Sequence, residues 1–399
     1  MKILFMSFND PHNNPGGYRK ETEYCREMKK MCARKGNAFM GVNVFSEPAR
    51  GKAPDLPQTD AALEVCRVTS PMLAVFSRFR LLRAVFRTGV ILKAANGWVR
   101  RFQPQVILFR YNFMYIVKPF NPKKIDKQII FLSIHHSKEP AELGMNPLAF
   151  LFVPFERILA RSFFRHVDGV IGVTEEITRF ESERIGRDIP THVFPNGINV
   201  KDHPARTESI FTGDELRMIF VAGVYDRWHG LDRLLKGMSA YRGPVNLVLT
   251  VVGAWSGEVE RLAEGFSQGV RIQFIAHPNP HELRSLLDQA HLAIGGLGLH
   301  RKKLNQGCTL KVRDYLAWGI PFVISHEDVD LDETLSLYLR VPADESPVDV
   351  RILIDFVKDR YSEFGGRMVP VMREYAAARI GYGRKIDELL SFIATIKNP

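Results

Sequence analysis

Residues 307–325, GCTLKVRDYLAWGIPFVIS, put a short polar loop, two cations and a carboxylate at the start of one helix. Lys311, Arg313 and Asp314 fall in its first turns. Gly319 and Pro321 end it before the apolar run Phe322, Val323, Ile324. The free N–H groups and positive dipole end of a helix N-terminus attract anions. These residue types therefore suit a phosphate and sugar site. A solvated helix face with i, i+3 or i, i+4 ion pairs accounts for them as well.

Other residues able to do chemistry follow short apolar runs. Asn14, Pro15, Gly16, Gly17 and Tyr18 follow the first; Arg110, Tyr111 and Asn112 follow a later one, and His135 and His136 end another. In the second half the equivalent positions are residues 223–229, 253–256 and 296–310. Glycine, histidine and base dominate, which suits a diphosphate better than a metal ion. Gly16 and Gly17 before a helix permit close backbone approach to a ligand. The GxGxxG fingerprint is absent, however, and a plain turn reads equally well there. The four cysteines, Cys25, Cys32, Cys66 and Cys308, form no CxxC pair. That argues against structural zinc and fits reduced thiols in a cytosol.

The elements that must position these groups alternate regularly. Strand-like runs such as KILFMSF, QVILFRY and QIIFLSIHH are separated by helical patterns, and the series restarts with LRMIFVAG and VNLVLTVVG. Such alternation predicts parallel sheets with helices on both faces. Two series in 399 residues predict two doubly wound domains. The boundary is expected at the polar stretch after VFPNGI, giving domains over 1–199 and 200–379. The N-terminus reads as a first strand rather than a signal peptide, and no apolar run reaches the ~18 residues of a membrane span.

The net charge is +11, which favours an anionic partner. Residues 72–90 place Met72, Val75, Phe76, Phe79, Leu82, Phe86 and Val90 at helical spacing, flanked by Arg78, Arg80, Arg83 and Arg87 with no acid. Two readings stand: a core helix with snorkelling arginines, or a helix lying on an anionic membrane surface. No nucleic-acid motif is present, and nucleic acid is not expected as a partner.

Five segments in order carry a family resemblance: NPGGY, FLSIHH, VFPNGIN, VVGAWSGEVERL and TLKVRDYLAWGIPFV. Together they resemble GT-B glycosyltransferases, and within them the retaining enzymes of glycosyltransferase family 4, in a bacterial polysaccharide-type subgroup. The implied fold is α/β, two Rossmann-like domains facing across a cleft that closes at a hinge. The last helix, about 380–399, packs back on the first domain.

The resemblance also implies an activity. A sugar passes from a nucleotide diphosphate sugar to a glycan or lipid-linked acceptor with retained anomeric configuration, in surface polysaccharide biosynthesis. No cofactor or metal is implied. Beside the resemblance, the cysteines favour the cytoplasm, and the basic helix of residues 72–90 favours a place peripheral to the inner face of the membrane. A catalytically weak nucleotide-sugar-binding subunit and a sugar-nucleotide epimerase are the alternatives.

The family pattern of Glu, seven residues, Glu falls on Gln306 and Asp314. Asp314 would take the ribose hydroxyls, Gln306 would face the donor sugar, and His135 would reach it from the first domain. Gly16, Gly17, Gly307, Thr309 and Leu310 would line the donor. One of Lys311 and Arg313 would face the phosphates, and the other would pair with an acid. Arg227 is the nearest arginine to the family's position. His229 stands where the family has lysine, so it is expected to charge on diphosphate binding and to weaken donor affinity between about pH 6 and 8.

Overall fold

The computed structural model describes residues 1–11, 15–46, 62–68, 80–112, 120–145, 153–207, 209–266, 268–332 and 334–397. Residues 72–79 of the basic amphipathic segment lie outside them. The chain forms two compact units. One comprises Met1–Phe194 with Tyr382–Pro399, the other Pro195–Gly381. The division thus falls at the Phe194–Pro195 bond, inside VFPNGIN.

In the first unit, β1 (Lys2–Ser7), β2 (Ala38–Ser46), β3 (Leu63–Val68), β4 (Val106–Arg110), β5 (Ile130–His135), β6 (Gly169–Gly172) and β7 (Thr191–Val193) form one sheet in the order β3-β2-β1-β4-β5-β6-β7. Every pairing is parallel. Parallel strands buried on both faces need near-continuous apolar sequence, which β1, β4 and β5 have. The helices are α1 (Pro15–Arg34), α2 (Arg80–Phe102), α3 (Glu139–Met145), α4 (Val153–Phe164) and α5 (Glu175–Ile185). Ile91, Leu92 and Val99 of α2 share a core with Phe163 and Phe164 of α4, against Leu4, Met6, Ile107 and Phe109. The opposite face takes α1 and the last helix of the chain, through Tyr24, Met28, Ile386 and Leu389 against Ile3, Phe5 and Leu108.

The second unit repeats the plan. Its strands are β8 (Glu215–Ala222), β9 (Asn246–Gly253), β10 (Val270–Ile275), β11 (Leu292–Ile294), β13 (Phe322–Ile324) and β15 (Tyr338–Arg340), all parallel, in the order β10-β9-β8-β11-β13-β15. Two short strands, β12 (Gln306–Gly307) and β14 (Glu327–Asp328), pair apart from it. Around them lie α6 (Leu231–Ala240), α7 (Gly257–Leu262), α8 (Pro280–Gln289), α9 (Leu310–Trp318), α10 (Val350–Phe364) and α11 (Met368–Tyr375). A π-helical turn, Ala376–Ile380, leads to α12 (Tyr382–Lys397), which belongs to the first unit.

Doubly wound sheets bind ligands at the carboxyl ends of strands flanking the point where strand order reverses. In the second unit those strands are β8 and β11. Two parallel doubly wound units in series, with the last helix returned to the first, make this the GT-B fold.

Candidate functional site

The loops after β8 and β11 are held together backbone to backbone. Leu297 N–H donates to the His229 carbonyl at 2.9 Å, and Gly298 N–H donates to that of Trp228 at 3.1 Å. The contact is so close that a Cβ on Gly230 would lie 2.6 Å from the Leu297 carbonyl carbon. Gly230 also has φ +68°, a left-handed conformation that glycine adopts without strain. Buried Arg233 fixes the same loop. It donates to the Leu297 carbonyl, to that of Ser346 at 2.8 Å and to that of Pro342 at 2.9 Å. Arg301 grips Asp232 through both nitrogens, at 2.8 and 2.9 Å, and reaches Glu345 as well. Arg233 of LDRLL and Arg301 of LHRKK are therefore framework. One sequence does not reveal this, because the partners are 44 to 113 residues away.

The 3-10 turn Arg227–His229 corrects an expectation. His229 is 3 % exposed, and its Nδ1 accepts the N–H of Asp226 at 3.1 Å. Burial, then the nearby charges of Lys311 and Lys302, push its pKa down to about 2. It is a neutral acceptor closing a turn, so it does not titrate between pH 6 and 8. Arg227 stands exposed on the same turn, and Lys302 Nζ lies 5.1 Å above the Trp228 ring.

Helix α9 carries the rest. Gly307 is demanded by packing, since a Cβ there would lie 2.8 Å from Leu299 and 2.9 Å from His326. Thr309 is the N-cap, yet its side chain caps nothing; its Oγ1 is buried without a hydrogen-bond partner. Leu310 begins the helix. Lys311 is half-buried as a residue, but its Nζ is shielded from solvent, donates to no hydrogen-bond partner and sits 3.8 Å from the Phe220 ring centroid, on β8. Burial drives its pKa well below the usual lysine range.

Arg313 does the other job. Its Nε donates to the Asn196 carbonyl at 2.9 Å, and its guanidinium pairs with Asp328 and Asp330. The acids of the DVD triplet are thus committed to Arg313. Asn196, from VFPNGIN, donates in turn to the Cys308 carbonyl. Asp314 is half-buried, with Oδ1 3.9 Å from His203 Nδ1. Gln306 donates through Nε2 to exposed Glu327 at 3.2 Å. A carboxylate therefore stands beside the position where the family has one.

The structure brings Gly307, Thr309, Leu310, Lys311 and Asp314 together on β12 and α9, with Lys311 reaching across to β8. Gly16, Gly17 and His135 belong to the first unit. Gly16 lies exposed in the first turn of α1, where a Cβ would meet nothing within 4 Å. His135 is fully buried. Its Nε2 bonds Ser133 Oγ at 2.6 Å, and its Nδ1 lies 3.7 Å from Glu181. Burial holds it neutral, far below the ordinary histidine value. A histidine so enclosed does not present a ring nitrogen to a ligand. Its neighbour His136 lies nearer the surface, with Nδ1 2.8 Å from Lys20 Nζ. Among the described residues no group of three or more His, Cys, Asp or Glu is placed to hold a metal ion.

No protein-family model matches the chain, and no curated protein matches it. Solved structures do. Sucrose-phosphate synthase from Thermosynechococcus elongatus is similar over 99 % of each chain, with a TM-score of 0.65 at 14 % identity. The lipopolysaccharide outer core galactosyltransferase WaaB, in its apo form, is similar over 99 % of each chain with a TM-score of 0.62 at 11 % identity. Anabaena HepE in complex with UDP-glucose is similar over 98 % of this chain and 99 % of its own, with a TM-score of 0.58 at 14 % identity. At such identities the likeness is one of fold: this chain and these proteins share GT-B.

Proposed function

We propose that the protein is a glycosyltransferase that uses a nucleotide diphosphate sugar, passing the sugar to a glycan or lipid-linked acceptor with retained anomeric configuration. One observation carries the reading. At the N-terminus of α9, beside the reversal point of the second sheet, Thr309 Oγ1 and Lys311 Nζ are buried with no hydrogen-bond partner. Buried polar groups are nearly always paired, so an unpaired cation and hydroxyl beside free helix N–H groups call for an anion. A diphosphate supplies the acceptors both need. Asp314 lies about one turn further along, suited to accept ribose hydroxyls.

During transfer the glycosidic carbon–oxygen bond to the diphosphate breaks, and negative charge grows on the leaving oxygen. The helix dipole and Lys311 stabilise that charge without rearrangement. Gln306, held by Glu327, lies three residues before the helix N-cap, on the side where the sugar would leave the diphosphate. HepE has been crystallised with UDP-glucose, which supports testing uridine nucleotides first.

The test is a thermal-shift panel of UDP, GDP, ADP, CMP and dTDP on wild type, K311M and D314N. A ligand at a hundred times its Kd stabilises by about 2.7 kcal/mol. A shift with one nucleoside diphosphate, reduced in both variants, is the expected result. No shift with any member overturns the reading. Binding without turnover of any NDP-sugar, measured by NDP release with and without acceptor, would favour the binding subunit. NMR of a transferred product reads its anomeric configuration.

A further inference from the structure

The first unit has a surface that the donor chemistry does not use. Helices α2 and α4 cover the same face of its sheet. The 23 residues of α2 include Arg80, Arg83, Arg87, Lys93, Arg100 and Arg101 and no acid. Lys93 and Arg100, with Gly97 between them, follow i, i+4, i+7 and are exposed, so they form one outward stripe.

Helix α4 contains a single acid, Glu156, and turns it inward. There it pairs with Arg184 and accepts the Tyr111 hydroxyl at 2.8 Å. Outward, α4 presents Phe155 at 60 % exposure and Ile158 at 66 %. Exposed Arg157 and Arg161 flank them, and among the described residues no carboxylate pairs with either arginine. An exposed apolar pair flanked by arginines is an unusual surface to leave in water.

We propose that this α2–α4 layer docks on an anionic lipid surface. Phe155 and Ile158 enter the boundary between headgroups and acyl chains, while Arg157, Arg161, Lys93 and Arg100 meet lipid phosphates. Charge complementarity selects the occupant. A patch to which neither helix presents an outward acid repels cations and matches a continuous sheet of negative headgroups. No helix among the described residues is long and apolar enough to cross a membrane, so the attachment is peripheral. The sequence offered residues 72–90 for this part; the described face adds α4.

The test is flotation of the full chain with vesicles of phosphatidylcholine mixed with phosphatidylglycerol, against vesicles of phosphatidylcholine alone, at low and high salt. Binding to the mixed vesicles only, weakened by salt, is expected. Each arginine near the surface contributes about fivefold in partitioning. R157E/R161E should therefore lose binding by well over tenfold. F155S/I158S should lose at least about tenfold from the lost insertion. Both variants change exposed residues, and an unaltered melting temperature shows that they fold. Absence of wild-type binding overturns the proposal, as does equal binding by either variant, which would move the contact to another face. A partner protein as the occupant would appear as no flotation with any vesicle, again overturning it. The proposal does not depend on the donor reading, and each can fail alone.

Discussion

A buried amine without a hydrogen-bond partner is costly in an empty site, and Lys311 lowers that cost by giving up its proton more readily than an exposed lysine. A bound diphosphate reverses the balance and raises the pKa again. At a pH between the free and bound values, binding must take up a proton, so donor affinity falls as pH rises through that window. Calorimetry of nucleotide binding in buffers of different ionisation enthalpy should show this uptake in wild type and none in K311M. Uptake that persists in K311M would place the titrating group elsewhere. The lost charge-assisted bonds are worth roughly 1.5–3 kcal/mol, about ten- to a hundredfold in affinity. His229 is predicted to leave the profile between pH 6 and 8 unchanged, because it is neutral throughout, with its pKa at about 2. H229N, whose side-chain oxygen can still accept the Asp226 N–H, should bind donor with the wild-type pH dependence. A profile altered between pH 6 and 8 in H229N would mean that the histidine meets the ligand after all.

At the scale of the element, α9 is fixed by a buried ionic clip. Arg313 ties it to Asp328 and Asp330 and to the Asn196 carbonyl. Removing one member of such a cluster leaves buried charge uncompensated, at about 3–5 kcal/mol. R313M should therefore lower the melting temperature by roughly 6 °C or more, and a melt within a degree of wild type would show that the clip is dispensable. R313M would also weaken donor binding, since the loop that positions Thr309 hangs on the same clip. The alternating strands and helices were legible because parallel buried strands must be apolar and amphipathic helices must repeat. The helix of residues 307–325 was legible for the same reason, with its stop at Gly319 (φ +80°). Which cation pairs with acids and which is left without a hydrogen-bond partner was not legible. Lys311 and Arg313 read alike in sequence, and only the fold brings Asp328 and Asp330 to one and leaves the other over Phe220. His229 and His135 misled for a related reason. A histidine at or after a strand end looks the same whether aromatic neighbours enclose it or solvent reaches it, and here Trp228 and Phe220 lie against one ring and Tyr111 against the other.

Across the whole molecule, histidines are buried in both units, and the direction of their shifts is shared. Burial pushes His135, His136 and His192 down in the first unit, and His229, His291 and His326 down in the second. Each is neutral when folded and free to protonate near pH 6.5 when unfolded. Below that pH the unfolded chain binds more protons, so stability is intact above about 6.5 and declines as pH falls toward the folded values. Two carboxyls work the other way. Burial raises Glu139, and raises Glu181 to about 7, so folding holds their protons above the ordinary carboxyl range and gains stability as pH falls toward it. His166 is pushed down by burial as well, and seven groups against two leave a net loss on acidification. The melting temperature is therefore expected to drop between pH 7 and pH 5. His291, with its pKa at about 4, accepts the Arg217 N–H through Nδ1 at 3.2 Å, and asparagine can replace that acceptor. H291N should flatten the slope by up to roughly 1.4 kcal/mol per pH unit below pH 6.5, whatever it does to stability at pH 7. A melting temperature that is level or rising from pH 7 to 5 would mean that the raised carboxyls outweigh the histidines, and that the buried Glu139 and Glu181 set the acid response of the fold.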